Sequence, residues 1–532
     1  MKEYIVVAKT EADIDSLDAE LTRNTIHDAT VNRHTVPGRT VQVANARLGN
    51  PRITHYFLSD QEAEKLCNDP RVEAVHRVPN PDSKVKYVIQ KSTAFNGTIG
   101  NFNRNSQVDP YNINWGLRRT SLAGSETKMG NTYEYDADGA GVDIVIMDDG
   151  VQADHPEFLD ATGMSRVQQI DWYTATGIPG TMPARHYVYN GYGDAEHGTH
   201  VAATAAGKTF GYAKNSRIYV IRVFGADDQV IPEADQFDLI RVWHTRKPVD
   251  PRTGVKRPTI VNMSWGYAWY YSDNPYYSIN NLRSIMYRNV IRNYPTGSVP
   301  RREFGMIPGG RHGLHIPSVD AEVQDAENAG IIFVHSAGNY SHKVDKAGGA
   351  DYNNYYTVNS YWGGIIPPGQ PVYYHRGGSP SSSNCITVSA ARDSTTLYNK
   401  KVMEVVDSYS ERGPGCDVIA PGTNITAATS KNSSFELTDY VWGRNNVQDR
   451  GNKVTKISGT SMASPQVTGV LALYLSRNPR ATPAQAKAWI ANKGVKGQVL
   501  TSAINNDWTN PNALQGGPNN YLYNPYRNRY SD

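Results

Sequence analysis

Three short segments carry residue types that can do chemistry together. In Val142-Asp143-Ile144-Val145-Ile146-Met147-Asp148-Asp149-Gly150 an apolar run ends in two carboxylates and a glycine. Functional groups collect where the strands of an α/β sheet end, and Asp148 is the first residue past the apolar run. The plainer alternative is a strand-end Asp that caps the following turn. In Glu196-His197-Gly198-Thr199-His200-Val201-Ala202-Ala203 a histidine opens a run of small residues. Two histidines three apart share a helix face, as zinc ligands do. No glutamate stands in the H-E-x-x-H position, however, and spacing nominates no third ligand. A general base suits His197 better, with Gly198 and Ala202 leaving room beside it. In Ile457-Ser458-Gly459-Thr460-Ser461-Met462-Ala463-Ser464-Pro465 a glycine-led turn delivers Ser461 to the start of an apolar helix carrying Val467, Val470, Leu471, Leu473 and Leu475. Backbone N–H groups and the helix dipole there favour a developing negative charge, although a serine at a helix start is also an ordinary cap. Each segment alone is weak. Together, in the chain order Asp, His, Ser, they match a known catalytic order.

Such groups need a rigid frame, and the composition permits one. The chain has 532 residues, 54 Lys+Arg against 51 Asp+Glu, 39% hydrophobic residues and 10% aromatics. That length fits one large domain plus a smaller unit, and the aromatic content argues against a disordered chain. The near-neutral balance argues against a nucleic-acid or polybasic membrane protein; the basic stretch from Arg241 to Arg257, broken by Pro248 and Pro251, reads as solvated. No apolar run approaches the roughly 18 residues of a membrane-crossing helix. At the N-terminus the apolar core is short and Glu3 stands where a signal peptide is basic, so the expected location is cytoplasmic or virion-associated, without a Sec signal. Three cysteines make no disulfide framework, and Cys385 and Cys416 are expected as reduced thiols.

The N-terminal pattern reads strand (Tyr4 to Ala8), helix (Glu11 to Asn24, with Ile14, Leu17 and Leu21 inward), strands over Arg39 to Arg47 and Arg52 to Ser59, a helix opened by the capping box Ser59-Asp60-Gln61-Glu62, and a strand over Val72 to Val78. The order β-α-β-β-α-β predicts a small ferredoxin-like α+β sandwich over 1–79. Pro79-Asn80-Pro81-Asp82 and the Asn-rich stretch after it read as a linker over 80–114, leaving 115–532 as the main domain. Near its end Thr482-Pro483-Ala484-Gln485 is a second capping box, opening a helix that runs to about Lys493 and stops at Gly494.

The blocks Met147-Asp148-Asp149-Gly150, His197 to Ala202 and Gly459 to Pro465 closely resemble those of the subtilisin-like serine proteases (peptidase S8). Asn262-Met263-Ser264-Trp265-Gly266, His335-Ser336-Ala337-Gly338-Asn339 and Ile419-Ala420-Pro421-Gly422 extend the similarity. His155-Pro156-Glu157-Phe158, Thr209 to Lys214 and Trp115-Gly116-Leu117 are similar to the proteinase K branch. The resemblance implies a three-layer αβα fold with a mainly parallel sheet, and a serine endopeptidase made as a latent precursor whose N-terminal unit is an inhibitory propeptide. It implies Ser461 as nucleophile, His197 as base, Asp148 as orienting acid in preference to Asp149, and Asn339 with the Ser461 N–H as oxyanion donors. His200 is then a packed structural residue. Ser264, Trp265, Gly266, Ala337 and Gly338 would wall the substrate pocket, with Trp265 where the family has a smaller aliphatic residue. Asp227-Asp228-Gln229 is expected as the opposite strand of the substrate groove.

No cofactor is required. The cation that the resemblance implies is a structural calcium at Asp417, completed by the carbonyls of Ser383 and Cys385; a hard cation wants several oxygens and the sequence offers one carboxylate. Substrate polypeptide and the chain's own N-terminal unit are the expected partners. Two Tyr-rich insertions, 267–330 and 340–378, and a polar tail, 515–532, hold many of the 34 tyrosines. Tyrosine gives large contact area with a polar tip, so a protein partner is expected there, with surface self-packing the alternative. An alternative for the whole chain is a virion- or assembly-associated binding protein that keeps the protease fold.

Overall fold

The computed structural model describes residues 1–22, 39–46, 50–78, 86–89, 114–124, 133, 135–270, 282–293, 304–305, 311–358, 369, 371–399, 401–435, 437–442, 447–501 and 514–526. The expected linker, apart from 86–89 and Asn114, and the chain end beyond 526 lie outside these residues.

The N-terminal unit comprises β1 (Lys2–Ala8), α1 (Glu11–Thr22), β2 (Val43–Ala46), β3 (Ile53–Leu58), α2 (Asp60–Leu66) and β4 (Val72–Arg77). Its sheet runs β2-β3-β1-β4 with every pair antiparallel. Period-2 alternation sends Tyr4, Val6 and Ala8 to a core shared with Ile14, Leu17 and Leu21 of α1 and Ala63 and Leu66 of α2. The Ser59 capping box forms with both of its hydrogen bonds. The other sheet face is apolar too: Val7 and Ile53 pack on Ala321 of the main domain, and Arg52 reaches Asp325 at 3.4 Å.

The chain continues as β5 (Lys86–Ile89), α3 (Trp115–Thr120), β6 (Asp143–Asp148), β7 (Val167–Gln168), α4 (Trp172–Thr176), α5 (Glu196–Ala206), β8 (Arg217–Arg222), α6 (Glu233–Arg246), the pair β9 (Val249–Asp250) and β10 (Val255–Lys256), β11 (Thr259–Met263) and β12 (Trp265–Tyr270). Next come β13 (Leu282–Tyr287), β14 (Val290–Asn293), β15 (Arg311–Gly313), α7 (Pro317–Asn328), β16 (Ile332–Ser336), β17 (Tyr355–Val358), β18 (Val372–Tyr373), β19 (Ile386–Tyr398) and β20 (Lys401–Val406). The last elements are β21 (Val418–Pro421), β22 (Ile425–Thr429), β23 (Leu437–Trp442), β24 (Val447–Ile457), α8 (Thr460–Arg477), α9 (Pro483–Lys493), β25 (Val495–Lys496) and β26 (Asn520–Tyr521).

A ten-stranded sheet in the order β25-β26-β21-β19-β16-β11-β6-β8-β7, with β20 beside β19, forms the middle layer. From β26 to β7 neighbouring strands are parallel. Strands covered on both faces must be apolar throughout, and β6, β11 and β16 are buried at every position. Alternate residues serve opposite layers. Ile144 and Ile146 pack with α5 and α8, whereas Val145 and Met147 pack with α6 and α7. This is a three-layer α/β fold whose strands deliver Asp148, Ser264 and Ala337 to one edge, their carboxyl ends.

The described parts of the two insertions join. β14, β13, β17 and β18 form one antiparallel sheet, with Tyr356 and Tyr374 buried and stacked beneath it. Self-packing thus takes up part of the tyrosine excess. Helix α7, inside the first insertion as read from sequence, is a core helix and carries the N-terminal sheet. Asp227-Asp228-Gln229 forms a turn, not a strand: the Gln229 N–H donates back to the Ala226 carbonyl at 2.8 Å, and the Asp228 carbonyl accepts from the Arg185 N–H at 2.8 Å. No helix among the described residues is long and apolar enough to cross a membrane.

Candidate active site

Asp148 ends β6, and His197 is the second residue of α5. Their side chains meet: His197 Nδ1 lies 2.8 Å from Asp148 Oδ1, both fully buried. A carboxylate on Nδ1 fixes that nitrogen as the protonated one, so Nε2 is the basic nitrogen. His197 Nε2 is buried without a hydrogen-bond partner among the described residues. The neighbouring acid has a separate task. Asp149 Oδ2 accepts from the His197 N–H at 3.1 Å and Oδ1 from the Gly198 N–H at 2.7 Å, satisfying two donors at the start of α5 that have no partner within the helix. Burial, and then the Asp148 charge, push the Asp149 carboxyl well above its usual range. Gly198 permits this closeness, because a Cβ there would lie 2.1 Å from the Gly150 carbonyl.

Ser461 sits in the first turn of α8, which packs against α5. Its hydroxyl donates to the Ser264 carbonyl at 3.0 Å. The Ser264 hydroxyl in turn donates to the Ser461 carbonyl at 2.9 Å and lies 2.9 Å from Ser464 Oγ. Asn262 Nδ2 donates to Ser264 Oγ, and Thr468 donates to Asn262 Oδ1, both at 2.9 Å. A buried polar ladder therefore ties the end of β11 to α8.

Asn339 follows β16. Its Oδ1 accepts from the Thr460 N–H at 2.9 Å and the Thr460 hydroxyl at 2.8 Å. A backbone N–H can only donate, so the orientation of the amide is settled: Oδ1 faces Thr460 and Nδ2 points away. Gly338 donates to Thr460 Oγ1 at 3.2 Å. It has φ +127° and lies against Glu411, whose Cδ would be 2.4 Å from a Cβ there, so only glycine fits.

Ser264 to Gly266 and Ala337 to Gly338 lie together at this edge, joined by a residue that sequence reasoning missed. Ser379 Oγ, with one proton to share, lies between the Trp265 carbonyl at 2.6 Å and the Ser336 carbonyl at 2.9 Å. Trp265 is fully buried, edge-on to Phe224 and Tyr267. Its ring takes the face of β12 opposite Ser264 and Gly266 and fills core. Along β12 runs β5, antiparallel, with Ile89 opposite Trp265 and Val88 opposite Gly266.

His200 is buried, with Nε2 3.0 Å from the Ile425 carbonyl. Burial, and then His197, hold its imidazole down at about 3, as befits a packed residue. Among the described residues no group of three or more His, Cys, Asp or Glu side chains is arranged to hold a metal. Asp417, Ser383 and Cys385 do converge, on the ammonium of Lys487: its Nζ is 3.1 Å from Asp417 Oδ1, 3.4 Å from the Ser383 carbonyl and 2.8 Å from the Cys385 carbonyl. All three cysteines are thiols, and burial pushes Cys385 and Cys416 up to about 12, out of the reactive range.

Comparison with known proteins decides the family. The model of the subtilase family, Peptidase_S8, matches residues 139–516. The chain belongs to the subtilase family. It is 27% identical to Proteinase R of Parengyodontium album, over 74% of this chain and 68% of that protein. It is 26% identical to the Extracellular serine proteinase of Thermus sp. (strain Rt41A), over 98% of this chain and 89% of the relative. Among solved structures, a cold adapted subtilisin-like serine proteinase aligns at 21% identity and a TM-score of 0.44, covering 78% of this chain and 98% of that one. Fervidolysin from Fervidobacterium pennivorans aligns at 18% identity and a TM-score of 0.47, covering 97% of this chain and 60% of that one. As a subtilase, this chain is a serine-type endopeptidase acting on peptide bonds.

Proposed function

We propose that Ser461 is the nucleophile of this subtilase, His197 its general base and Asp148 the acid that orients His197. The observation that carries the proposal is the buried 2.8 Å contact between His197 Nδ1 and Asp148 Oδ1. A serine hydroxyl is a poor nucleophile until a base takes its proton. Ser461 Oγ turns its proton from the Ser264 carbonyl to His197 Nε2 and attacks the scissile carbonyl carbon. Asn339 Nδ2 and the Ser461 N–H donate to the resulting oxyanion. His197 then passes the proton to the leaving amine, and water releases the acyl group by the same route in reverse. An extended substrate pairs along β12.

The chain is a latent precursor in this reading: 1–79 an inhibitory prodomain with a ferredoxin-like sandwich, 80–114 a linker with the processing site, and 115–532 the peptidase domain, nearest the proteinase K branch. Two observations support latency. Asp148, His197 and Ser461 are all closed to solvent, and β5 of the linker holds the β12 edge in the antiparallel sense. Because Ile89 pairs with Trp265 and Ser461 Oγ bonds to the carbonyl of Ser264, the residue before Trp265, counting one residue past Ile89 nominates Gln90–Lys91 as the processed bond. N-terminal sequencing after incubation should find Lys91 as a new N-terminus in the wild type and none in Ser461→Ala. Release of the N-terminal unit by Ser461→Ala at the wild-type rate would sink self-processing. Absence of labelling by a serine-directed fluorescent probe after that unit is removed would sink the assignment of Ser461.

A further inference from the structure

The oxygens that the family resemblance nominates for calcium already hold a cation of the chain itself. They surround Lys487. Calcium takes six to eight oxygens at about 2.3–2.6 Å. Lys487 Nζ has three acceptors, at 2.8, 3.1 and 3.4 Å, one for each ammonium hydrogen. An ammonium and a metal ion cannot share that centre. The charge balances as well: one carboxylate, Asp417, against one cation.

The surroundings are built for this arrangement. Lys487 lies on α9 between the buried Ala486 and Ile490, so its stem leaves the helix beside the packed face. Glu327 of α7 grips the 382–384 loop from another side, accepting from Ser382 Oγ, from the Asn384 N–H at 2.9 Å and from Asn384 Nδ2 at 2.7 Å. With the donors of the loop turned to Glu327, the carbonyls of Ser383 and Cys385 are left to Lys487. Asp417 is fixed by the Thr387 N–H, which donates to its Oδ2 at 2.9 Å. We infer that Lys487 is a tethered cation that replaces a calcium ion at this site, locking the 381–385 loop and the start of β21 to α9, and that removing its ammonium opens a divalent-cation site there.

The inference goes beyond the catalytic reading and is tested without hydrolysis, in the full chain carrying Ser461→Ala. Thermal unfolding should give one Tm in EDTA and in excess calcium, with no Asp417-dependent terbium luminescence. Lys487→Ala should lower Tm by a few degrees in EDTA and acquire a calcium-dependent recovery, together with terbium luminescence that a further Asp417→Asn abolishes. Lys487→Met, which keeps the apolar stem, serves if Lys487→Ala does not fold. Terbium or calcium binding by the Lys487-containing chain that Asp417→Asn removes would overturn the inference. So would a Lys487 variant that loses stability and gains no calcium binding.

Discussion

Two carboxylates at opposite ends of the parallel sheet meet a basic group from a helix, with opposite results. Asp148 closes β6 at the carboxyl edge and faces the His197 imidazole. Asp417 stands just before β21 at the amino edge and faces the Lys487 ammonium. At the first, the partner is a ring that can hold a proton or release it, and His197 Nε2 has no hydrogen-bond partner among the described residues. At the second, the partner is a cation whose three hydrogens all have acceptors. On the proposed mechanism the first pair moves a proton, whereas the second holds a charge still. The distinction lies in what remains unsatisfied, since both pairs have similar distances.

The largest effects should come from the first pair and the proposed nucleophile, Ser461. Ser461→Ala should lower kcat by about 10⁶-fold, the scale known for a related subtilisin, with stability unchanged. Asp148→Asn should lower it by about 10⁴-fold by releasing the imidazole into the wrong tautomer. Asp149, one residue on, separates orientation from scaffolding. Asp149→Ala removes the acceptor of two buried N–H groups and should cost about 1–3 kcal/mol of stability, with an activity loss well short of that of Asp148→Asn. Equal losses in single-turnover assays would mean that the two acids do not divide the work in this way.

Next in size is the proposed oxyanion position. Asn339→Ala should lower kcat by about 10²–10³-fold with little change in KM, again the scale of a subtilisin. Thr460→Val, which keeps the volume but removes the hydroxyl that donates to Asn339 Oδ1, should show a smaller loss of the same kind. A change in KM alone would assign Thr460 to binding rather than to positioning.

These residues also show what a sequence can carry. Asp148, His197 and Ser461 stand out because local pattern marks a strand end or a helix start. The capping boxes at Ser59 and Thr482 are legible for the same reason, their bonds spanning three residues. Thr460 holding Asn339 across 121 residues, Ser379 bridging two strand ends and Lys487 reaching the Ser383 carbonyl across 104 residues leave no local trace, because the fold alone makes them neighbours. The joined sheet of the insertions was hidden likewise, as β13 and β17 pair across about seventy residues of irregular composition. Asp227 to Gln229 misleads in the other direction: its side chains suit a substrate groove, and its backbone is a turn.

A further carboxyl, fully buried, sharpens the contrast, because burial governs its titration. Glu411 lies against Gly338, beside the oxyanion segment, and burial pushes it from 4.5 up to about 8. Below about pH 4.5 the group is protonated both folded and unfolded, and stability does not depend on it. Between 4.5 and about 8 the unfolded chain has released the proton while the folded chain keeps it. The folded state then binds more protons, so stability falls as pH rises. Above about 8 both states are ionised and the dependence ends. Glu411→Gln has the same shape and cannot ionise. In the Ser461→Ala background its Tm should track the parent below pH 4.5, gain a few degrees across the window and run parallel above it. A Tm difference that stays flat with pH would mean that Glu411 meets a cation or water that keeps it ionised, which would make it a second charge-holding site like Asp417.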